Sequence, residues 1–197
     1  SGTDSHGTAI TIKADQTGQT PHQIYSHYHP RFIELFQRLG ISYDMFTSTH
    51  TENHFEVAQQ VFLTLLENGF LKRFVSKQWF SPKLGRFLPD RYVEGTCYLC
   101  GYEGARSDQC EKCGNELEAE KLINPVSRVD GSTPELKETE HFYLDLSSLE
   151  PKIQEFLKER ESYWRPNVLR QSLGNIQSVV LKPTSITRDL EWGIPVP

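Results

Sequence analysis

The stretch TCYLCGYEGARSDQCEKCGN, residues 96–115, holds all four cysteines of this 197-residue chain. Cys97 and Cys100 form one C-x2-C pair, and after nine intervening residues Cys110 and Cys113 form a second pair. A tight turn can direct both sulfurs of such a pair at one point. Two turns of this kind supply four thiolates, which is the donor set of a tetrahedral zinc site.

The residues next to these cysteines favour a metal over other sulfur chemistry. Gly101 and Gly114 follow the two pairs directly, and a residue without a Cβ lets each turn fold back with backbone N–H groups towards the sulfurs. The alternatives are two disulfides, a redox pair or an iron–sulfur cluster. Disulfides need an oxidising compartment, a redox motif uses one pair in a βαβ setting, and iron–sulfur clusters usually need different spacing. The pattern therefore predicts one structural zinc ion, because four protein ligands leave no open position for catalysis.

The segment around the cysteines, residues 81–140, is rich in glycine, proline and aspartate and shows little apolar periodicity. Such a segment has too few apolar residues for a large core of its own, and a metal can replace part of that core. We therefore predict that chelation of the metal unfolds residues 81–140 locally.

The sequence on either side predicts helices and strands. Thr20 and Pro21 are typical of a helix start, because Thr is a good N-cap and Pro is favoured at the first helical position. Pro30 predicts a kink or a second start. The other predicted elements are, in chain order, a short extended or helical segment before residue 19, a strand at 41–46, a helix at 49–68 capped by Thr51, a strand at 70–80, a strand at 140–146, a helix from Ser147 or Ser148 to Arg160, a helix after Pro166 and an irregular tail at 186–197.

The bulk composition narrows the function classes. The net charge is -5, with 24% charged and 37% hydrophobic residues, which is the balance of a globular protein and not of a disordered or membrane one. The chain lacks the overall basic charge that nucleic-acid binders usually carry. No apolar run reaches the length of a membrane span and no signal-peptide pattern is present, so we predict a cytoplasmic protein without a membrane partner. The absent initial Met and the abrupt end at GIPVP suggest a piece of a longer protein.

Several separated stretches resemble one protein family. They are GTDSHGTAITIKADQTGQTP (2–21), ISYDMFTSTHTENH (41–54), GRFLPDRYVEGTCYLCGYEGARSDQCEKCG (85–114), EHFYLDL (140–146) and ITRDLEWGIPVP (186–197). Their order and spacing are similar to those of the methionyl-tRNA synthetases along nearly the whole chain. The run from FLPDR to the last cysteine is the specific part, whereas related synthetases share text like GTDSHG.

The resemblance implies a class I synthetase and therefore an α/β fold. In that family a Rossmann-type catalytic domain is interrupted by a connective-peptide insertion that carries zinc knuckles. Residues 1–68 would be the first part of the catalytic domain and residues 69–145 the zinc-binding insertion. Residues 146–197 would be the returning part of the catalytic domain.

The resemblance also implies roles for four residues outside the cysteines. Asp4 would hold the amino group of methionine through charge-assisted hydrogen bonds, or it caps a turn. His6 would line the same site, or it is a turn histidine bonded to backbone. Arg188 would be catalytic, with its cation stabilising a phosphate or carboxylate, or it pairs with Asp189 at the surface. Trp192 would wall the substrate pocket, or it is a core aromatic.

The other six histidines show no convincing ligand spacing. His50 and His54 lie four residues apart at a helix start, which can bring two ligands together. No HExxH glutamate accompanies them, so a solvated helix face is the favoured interpretation.

Two motifs of the family do not occur in the chain. The HIGH-type and KMSKS-type motifs handle ATP phosphates in class I synthetases, so we expect no adenylate formation by this chain alone. A parent enzyme would use ATP and Mg as well as methionine and tRNA(Met). The stretches 81–91 and 124–135 hold no cysteine, although some relatives carry a second zinc knuckle there. We expect these stretches to keep the knuckle turns without metal, which gives one zinc per chain.

Three functions are compatible with the sequence. The first is attachment of methionine to tRNA(Met) by a parent methionine–tRNA ligase, to which this chain contributes part of the amino-acid pocket and the insertion. The second is another class I synthetase, for leucine, isoleucine, valine or cysteine; the missing editing insertion argues against the first three, and the sequence around the cysteines against all four. The third is a free-standing zinc-ribbon module that binds RNA or protein, against which the acidic charge and the abrupt ends argue.

Overall fold

The computed structural model of the chain describes residues 1–178 and 181–197. Within these residues it contains five α-helices and nine β-strands, which confirms the predicted α/β class. The helices are α1 (Thr8–Thr17), α2 (Pro21–Arg38), α3 (Glu52–Glu67), α4 (Leu146–Glu159) and α5 (Pro166–Ser178). The strands are β1 (Gly2–Thr3), β2 (Thr47–Ser48), β3 (Leu71–Ser81), β4 (Arg86–Phe87), β5 (Val93–Thr96), β6 (Ala105–Arg106), β7 (Ile123–Ser127), β8 (Glu135–Leu144) and β9 (Thr184–Ser185). None of the helices in the described ranges combines the length and apolarity needed to cross a membrane.

The strands form three sheets. β1 and β2 pair in parallel, with Gly2 opposite Thr47 and Thr3 opposite Ser48. β5 is the central strand of an antiparallel sheet in the order β6–β5–β7. The remaining sheet has the order β4–β3–β8–β9, and its β3–β4 and β8–β9 pairs are antiparallel.

The chain divides into two compact units. The first unit comprises Ser1–Gln59, Ser76–Thr139 and Asp189–Val196, and the second comprises Gln60–Val75, Glu140–Arg188 and Pro197. The sheet β6–β5–β7, the four cysteines that follow β5 and β6 in the chain, and the parallel pair β1–β2 all belong to the first unit. The predicted domain boundaries after residues 68 and 145 come from the family resemblance, whereas these units reflect contacts within the chain. The boundaries therefore stay a prediction.

The apolar core of the first unit surrounds the cysteines. Cys97 and Cys110 are themselves buried, together with the fully enclosed Val93 and Ala105. The other members of this core are Trp79, Leu88, Tyr92, Leu117 and Leu122. Two of the four thiols are therefore part of a small core, which agrees with a module that depends on a metal for its stability.

Gly95 in β5 allows an unusually close approach of β7. A Cβ at this position would lie 2.6 Å from the carbonyl oxygen of Ile123. The pairing of the two strands shifts register between Glu94 and Thr96, so the approach coincides with an irregularity of the ladder. Only glycine fits this geometry without movement of β7.

Two predicted helix starts are confirmed by their capping contacts. Thr20 and Gln23 form a capping box, with the Gln23 N–H donating to Thr20 Oγ1 at 3.2 Å. Thr51 Oγ1 accepts from the backbone N–H of His54 at 3.3 Å. Of the two alternatives predicted at Pro30, the second start is wrong, because α2 runs through this residue as one element, and the kink stays a prediction. A proline removes one helical hydrogen bond, and the rest of the helix tolerates that loss here.

Two other predictions require correction. The strand expected at 41–46 is absent; the strand of this region is β2, immediately after it. Residues 41–46 instead fold back on α2, where the Ile41 N–H donates to Phe36 O at 2.9 Å and Tyr43 packs on Phe36. The cap of α4 is Asp145, not Ser147 or Ser148, because its carboxylate accepts from the Ser148 N–H at 3.3 Å.

Candidate metal centre and substrate pocket

The four cysteines converge on one point, as their spacing predicts. The sulfurs of Cys97, Cys100, Cys110 and Cys113 all lie within 4.8 Å of one another. The shortest recorded approach joins Cys100 Sγ and Cys110 Sγ at 3.6 Å, and none of the four is in a disulfide. Four thiols at this separation can hold one tetrahedral metal ion.

The two C-x2-C pairs adopt the same backbone turn. The Gly101 N–H donates to Cys97 O at 2.9 Å, and the Gly114 N–H donates to Cys110 O at 2.8 Å. Both glycines have a positive φ, 71° and 73°, which a residue with a Cβ adopts only with strain. The Leu99 N–H points at Cys97 Sγ at 3.4 Å, so the turn already offers a donor to a thiolate.

The thiols of the cluster differ in acidity. The backbone N–H of Asn115, followed by its side chain, lowers the pKa of the Cys113 thiol to about 6. The pKa of Cys100 is raised to about 12, because burial and hydrogen bonds with the other three thiols outweigh the backbone N–H of Tyr102, which lowers it. Four neighbouring thiolates would repel each other, so either protons or a cation must balance their charge. A divalent cation would displace the protons and hold all four sulfurs.

Two further turns repeat the backbone of the cysteine turns without any cysteine. The Gly85 N–H donates to Ser81 O at 2.8 Å and the Gly131 N–H to Ser127 O at 2.9 Å, with φ of 67° and 69° at the glycines. The positions that correspond to the four cysteines are Ser81, Leu84, Ser127 and Asp130. The predicted survival of knuckle turns in stretches 81–91 and 124–135 is therefore confirmed.

A carboxylate occupies the centre of this second pair of turns. Ser81 Oγ donates to Asp130 Oδ2 at 3.1 Å, and the N–H and Oγ of Ser132 donate to Asp130 Oδ1 at 3.2 and 2.8 Å. Hydrogen bonds from Ser127 first, and then from Ser132 and Ser81, hold the pKa of Asp130 well below its usual range. Hydrogen bonds between side chains thus join these two turns in the way that a metal could join the cysteine turns.

The second candidate site lies at the carboxyl ends of the parallel strands β1 and β2. Ser5 and His6 follow β1, and Thr49 and His50 follow β2. The Ser5 N–H donates to Thr49 Oγ1 at 2.8 Å, and His6 Nε2 lies 3.0 Å from His50 Nδ1. In open α/β sheets, ligands bind at this end of the strands.

Trp192 from the irregular tail completes this site. Its indole N–H donates to Ser5 O at 2.8 Å, and its ring stacks on His50 with centroids 4.5 Å apart and planes 30° from parallel. His6 meets the same indole edge-on at 5.3 Å. We call these three rings and the rings that contact them the aromatic cluster. Its members are His6, His22, Tyr25, His50, Phe55 and Trp192.

The surroundings of the two facing histidines lower the pKa of both rings. Burial lowers the pKa of His6; the neighbouring His50 lowers it further, and Asp4 raises it. Burial likewise lowers the pKa of His50, with a further contribution from His22. Neutral rings allow one nitrogen to donate and the facing nitrogen to accept, which the 3.0 Å separation requires.

The structure places the other predicted site residues as follows. Asp4 is exposed beside the cluster, and its Oδ1 accepts weakly from the His6 N–H at 3.4 Å, so the carboxylate remains accessible to a ligand. Arg188 belongs to the second unit, where its Nη1 donates to the carbonyl oxygen and the hydroxyl of Ser185 at 3.1 and 2.7 Å. The roles of both residues stay predictions.

His50 is the site residue that the sequence interpretation missed. A solvated helix face was expected for it, but its ring contacts His6 and Trp192 instead. The error follows from the misplaced strand at 41–46, because a strand at Thr47–Ser48 puts His50 at a strand end. The sequence did contain a signal for this placement of His50: the tripeptide STH at 48–50 resembles DSH at 4–6, and in each case the histidine follows a short strand.

Two cavities of the first unit differ in their relation to this site. A cleft of about 140 Å³ has Trp192 in one wall, together with α1 and the charged side chains of Asp15 and Arg86. A larger cavity of about 410 Å³ lies between α2 and residues 40–46 and has a mostly apolar lining. We relate the smaller cleft to the candidate site, because none of the predicted site residues lines the larger one.

Comparison with known proteins agrees with the predicted family. The family described as tRNA synthetases class I (M) matches residues 1–197. The methionine–tRNA ligase of Thermomicrobium roseum is 50% identical over the whole chain, and that of Thermobifida fusca is 49% identical. The chain spans about a third of the length of these relatives, 33% and 32% respectively.

Solved structures show the same fold. Mycobacterium tuberculosis methionyl-tRNA synthetase bound by methionyl-adenylate matches the whole chain with a TM-score of 0.66 at 19% identity, and the chain covers 34% of it. Leucyl-tRNA synthetase of Agrobacterium radiobacter, in a ternary complex with tRNA, matches 89% of the chain with a TM-score of 0.52 at 17% identity, over 18% of its length.

Proposed function

The chain belongs to the class I tRNA synthetases (M), and on this premise we propose that it forms part of the amino-acid pocket of a methionine–tRNA ligase. The whole enzyme would activate methionine with ATP and transfer it to tRNA(Met). One observation carries the proposal: His6 contacts both Trp192 and the exposed Asp4 at the carboxyl ends of β1 and β2. A carboxylate beside an aromatic wall suits a ligand that has both an ammonium group and an apolar side chain.

The four predicted residues outside the cysteines have distinct roles in this proposal. Asp4 pairs with the ammonium of methionine, Trp192 walls the pocket, and His6 lines it between them. Arg188 supplies a cation for a phosphate or carboxylate. The two N–H groups of its Nη1 are shared among Ser185 O, Ser185 Oγ and Thr187 O, and these contacts fix the orientation of the guanidinium.

The metal of the four-cysteine centre is, in this proposal, a single structural zinc ion. Four sulfurs within 4.8 Å of one another satisfy a tetrahedral ion completely, so the ion would stabilise residues 81–140 and take no part in the chemistry. These residues would belong to the connective-peptide insertion at 69–145, between the catalytic segments 1–68 and 146–197.

The remaining partners would be bound largely outside these 197 residues. ATP, Mg and tRNA(Met) require the HIGH- and KMSKS-type motifs and further surface of a longer enzyme. We therefore expect the chain to be inactive alone. A cytoplasmic location fits this role and stays a prediction.

A chimeric enzyme tests the proposal directly. The matching third of the Thermomicrobium roseum ligase is replaced by this chain, and methionine-dependent exchange between ATP and pyrophosphate is measured. We expect exchange activity in the chimera and none in the chain alone. Asp4→Ala should lower kcat/KM for methionine by roughly 10- to 100-fold, the loss expected for one charge-assisted contact.

The matched control is Asp44→Ala, which removes an exposed carboxylate that precedes β2, whereas Asp4 follows the parallel strand β1. A chimera that folds with a full complement of metal but shows no exchange would overturn the proposal. Equal activity of the Asp4→Ala and unsubstituted chimeras would overturn the role given to Asp4.

A further inference from the structure

We propose that His50 is the positioning residue of this pocket: it holds Trp192 by stacking and His6 by a ring-to-ring hydrogen bond, and so fixes the aromatic wall. The inference rests on the proposed function for the identity of the substrate, methionine. The two contacts themselves, at 4.5 Å between ring centroids and 3.0 Å between nitrogens, do not depend on it.

Side-chain contacts hold the tail that carries Trp192. The segment 189–196 has no helix or strand in the described structure, so no regular ladder fixes its position. The described contacts to it include the Trp192 N–H to Ser5 O, the Gln59 side chain to Pro195 O at 2.8 Å, and the stack on His50. The stack is the contact among these that sets the orientation of the indole plane, because a ring face restricts rotation more than one hydrogen bond does.

His50 is itself well fixed. Its backbone N–H donates to Ser48 Oγ at 3.1 Å, and Ser48 Oγ also bonds Tyr25 OH at 2.8 Å. Ser48 is only 5% exposed, and Thr51, one residue after His50, caps α3. A positioning residue must be rigid to be effective, and these contacts tie His50 to β2, α2 and the start of α3.

The arrangement requires that the two facing rings are not both charged. Two imidazolium rings would place an N–H on each facing nitrogen, and the hydrogen bond would be lost. The charged and titratable groups around the pair act in both directions: Asp4 favours a charged His6, whereas His22 and His54 oppose charge on the pair. Because burial lowers the pKa of both rings, the contact persists at neutral pH and weakens only in more acidic solution, where both rings gain a proton. An ammonium bound at Asp4 would also disfavour a charged His6, so substrate and protons would compete.

Nuclear magnetic resonance of the chain tests the positioning directly. The indole N–H resonance of Trp192, assigned with Trp192→Phe, and the ring nitrogens of His6 are followed from about pH 8 to about pH 5. We expect both to move together towards the acidic end of this range, because the pKa of both His6 and His50 is lowered. The indole resonance of Trp79, in the core around the cysteines, serves as the internal reference for the integrity of that module.

Two variants separate stacking from hydrogen bonding. His50→Phe keeps a ring on Trp192 but removes the partner of His6, so the indole resonance should stay and the His6 nitrogens should shift. His50→Gln keeps a hydrogen-bonding group but removes the ring and its titration, so the indole resonance should shift and its response to pH should become smaller, with His6 still in contact with the indole. His27→Gln, an exposed histidine outside the aromatic cluster, is the matched control and should change neither signal.

Kinetics of the chimera separate this inference from the proposed function. His50→Gln should raise KM for methionine about tenfold with little change in kcat, because it loosens a binding wall. Unchanged Trp192 and His6 signals in both His50 variants, or equal changes in His27→Gln, would overturn the inference. If the resonance signals behave as expected but the chimera has no activity with methionine, the positioning role of His50 stands. Only the proposed function is then overturned.

Discussion

Ser81 donates a hydrogen bond to Asp130 over 3.1 Å, and this contact joins two turns that share the backbone of the zinc-type cysteine turns. The N–H of Ser127 also reaches Ser132 O at 2.8 Å, as the N–H of Cys97 reaches Tyr102 O at 2.8 Å. The backbone thus places four side chains in equivalent positions in both pairs of turns. In the cysteine turns all four side chains end in sulfur. In the second pair three side chains offer oxygen and the fourth, Leu84, offers only carbon. A hydrogen-bonded carboxylate can hold such turns together, although it gives up the much larger stabilisation of a metal.

Restoring sulfur at the second pair of turns should create a second metal site. The variant carries Ser81→Cys, Leu84→Cys, Ser127→Cys and Asp130→Cys, and we expect two zinc ions per chain by native mass spectrometry. The reason is that the required backbone, with positive φ at Gly85 and Gly131, is already formed. A version that keeps Asp130 and changes only the other three is the control and should bind the second zinc more weakly. A folded quadruple variant that still binds one zinc would contradict the equivalence of the turns.

Removal of the metal should unfold the cysteine-bearing module. Structural zinc contributes roughly 10–16 kcal/mol in small zinc peptides, which exceeds the roughly 5–15 kcal/mol stability of a typical domain. We expect one zinc per chain before chelation and proteolytic cleavage within residues 81–140 after it. Cys110→Ser should reproduce the cleavage, since Cys110 is fully buried in the core.

The chelation experiment has its own control. Addition of zinc should restore protease resistance to the chelated chain but not to Cys110→Ser. Circular dichroism and cleavage that stay unchanged in metal-free protein would show that the module does not need the ion.

Gly95→Ala should destabilise the first unit by about 1–3 kcal/mol, the usual cost of overpacking. The added Cβ would meet Ile123 O at 2.6 Å, so β7 must move away from β5. Chemical denaturation measures the free energy of unfolding. The control is Gly174→Ala in α5, where a Cβ meets nothing within 4 Å and helix propensity gains up to about 1 kcal/mol. Equal stability of the two variants would refute the close approach at Gly95.

The ion pair of Lys72 with Asp145 should make the stability of the chain depend on pH in acid. The hydrogen bond from Lys72, followed by that from Ser147, lowers the pKa of Asp145 to about 2. A carboxylate with a lowered pKa in the folded state stabilises the protein above its unfolded pKa of about 3.9 and loses that contribution as the pH falls towards 2.

The measurement is Tm against pH for the chain and for Asp145→Asn. We expect the variant to have a lower Tm at neutral pH and a smaller fall of Tm between about pH 4 and pH 2, where the ion pair titrates. Asp44→Asn, which changes an exposed carboxylate, should follow the unsubstituted chain. Parallel Tm curves for Asp145→Asn and the unsubstituted chain would rule out this ion pair as the source.

The convergence of the four cysteines was predictable because its geometry is local. Each C-x2-C-G segment makes its own turn, and the glycine that closes the turn follows the second cysteine directly. The helix start at Thr20 was predictable for the same reason, since both partners of its capping box lie within four residues. No distant contact is needed to decide either feature.

The aromatic cluster and the cap of α4 were harder to predict because distant contacts decide them. The ring of His50 faces inwards only because β2 pairs with β1, more than forty residues earlier. Asp145 is the cap and not a serine because its N–H still bonds Phe70 O at 2.9 Å, which holds it outside the helix. The sequence DLSS allows three caps, and the neighbouring strand selects one of them.

The hydrogen bond between Trp192 and Ser5 joins residues 187 positions apart, whereas the four cysteines fall between residues 97 and 113. Contacts between distant residues form late, because the chain must first close a long loop. During synthesis, the four cysteines would therefore come together before Trp192, which contributes to the candidate pocket, has left the ribosome. The candidate pocket would then assemble after the cysteine turns, and a nascent chain that stalls before residue 192 would carry finished cysteine turns next to an incomplete pocket.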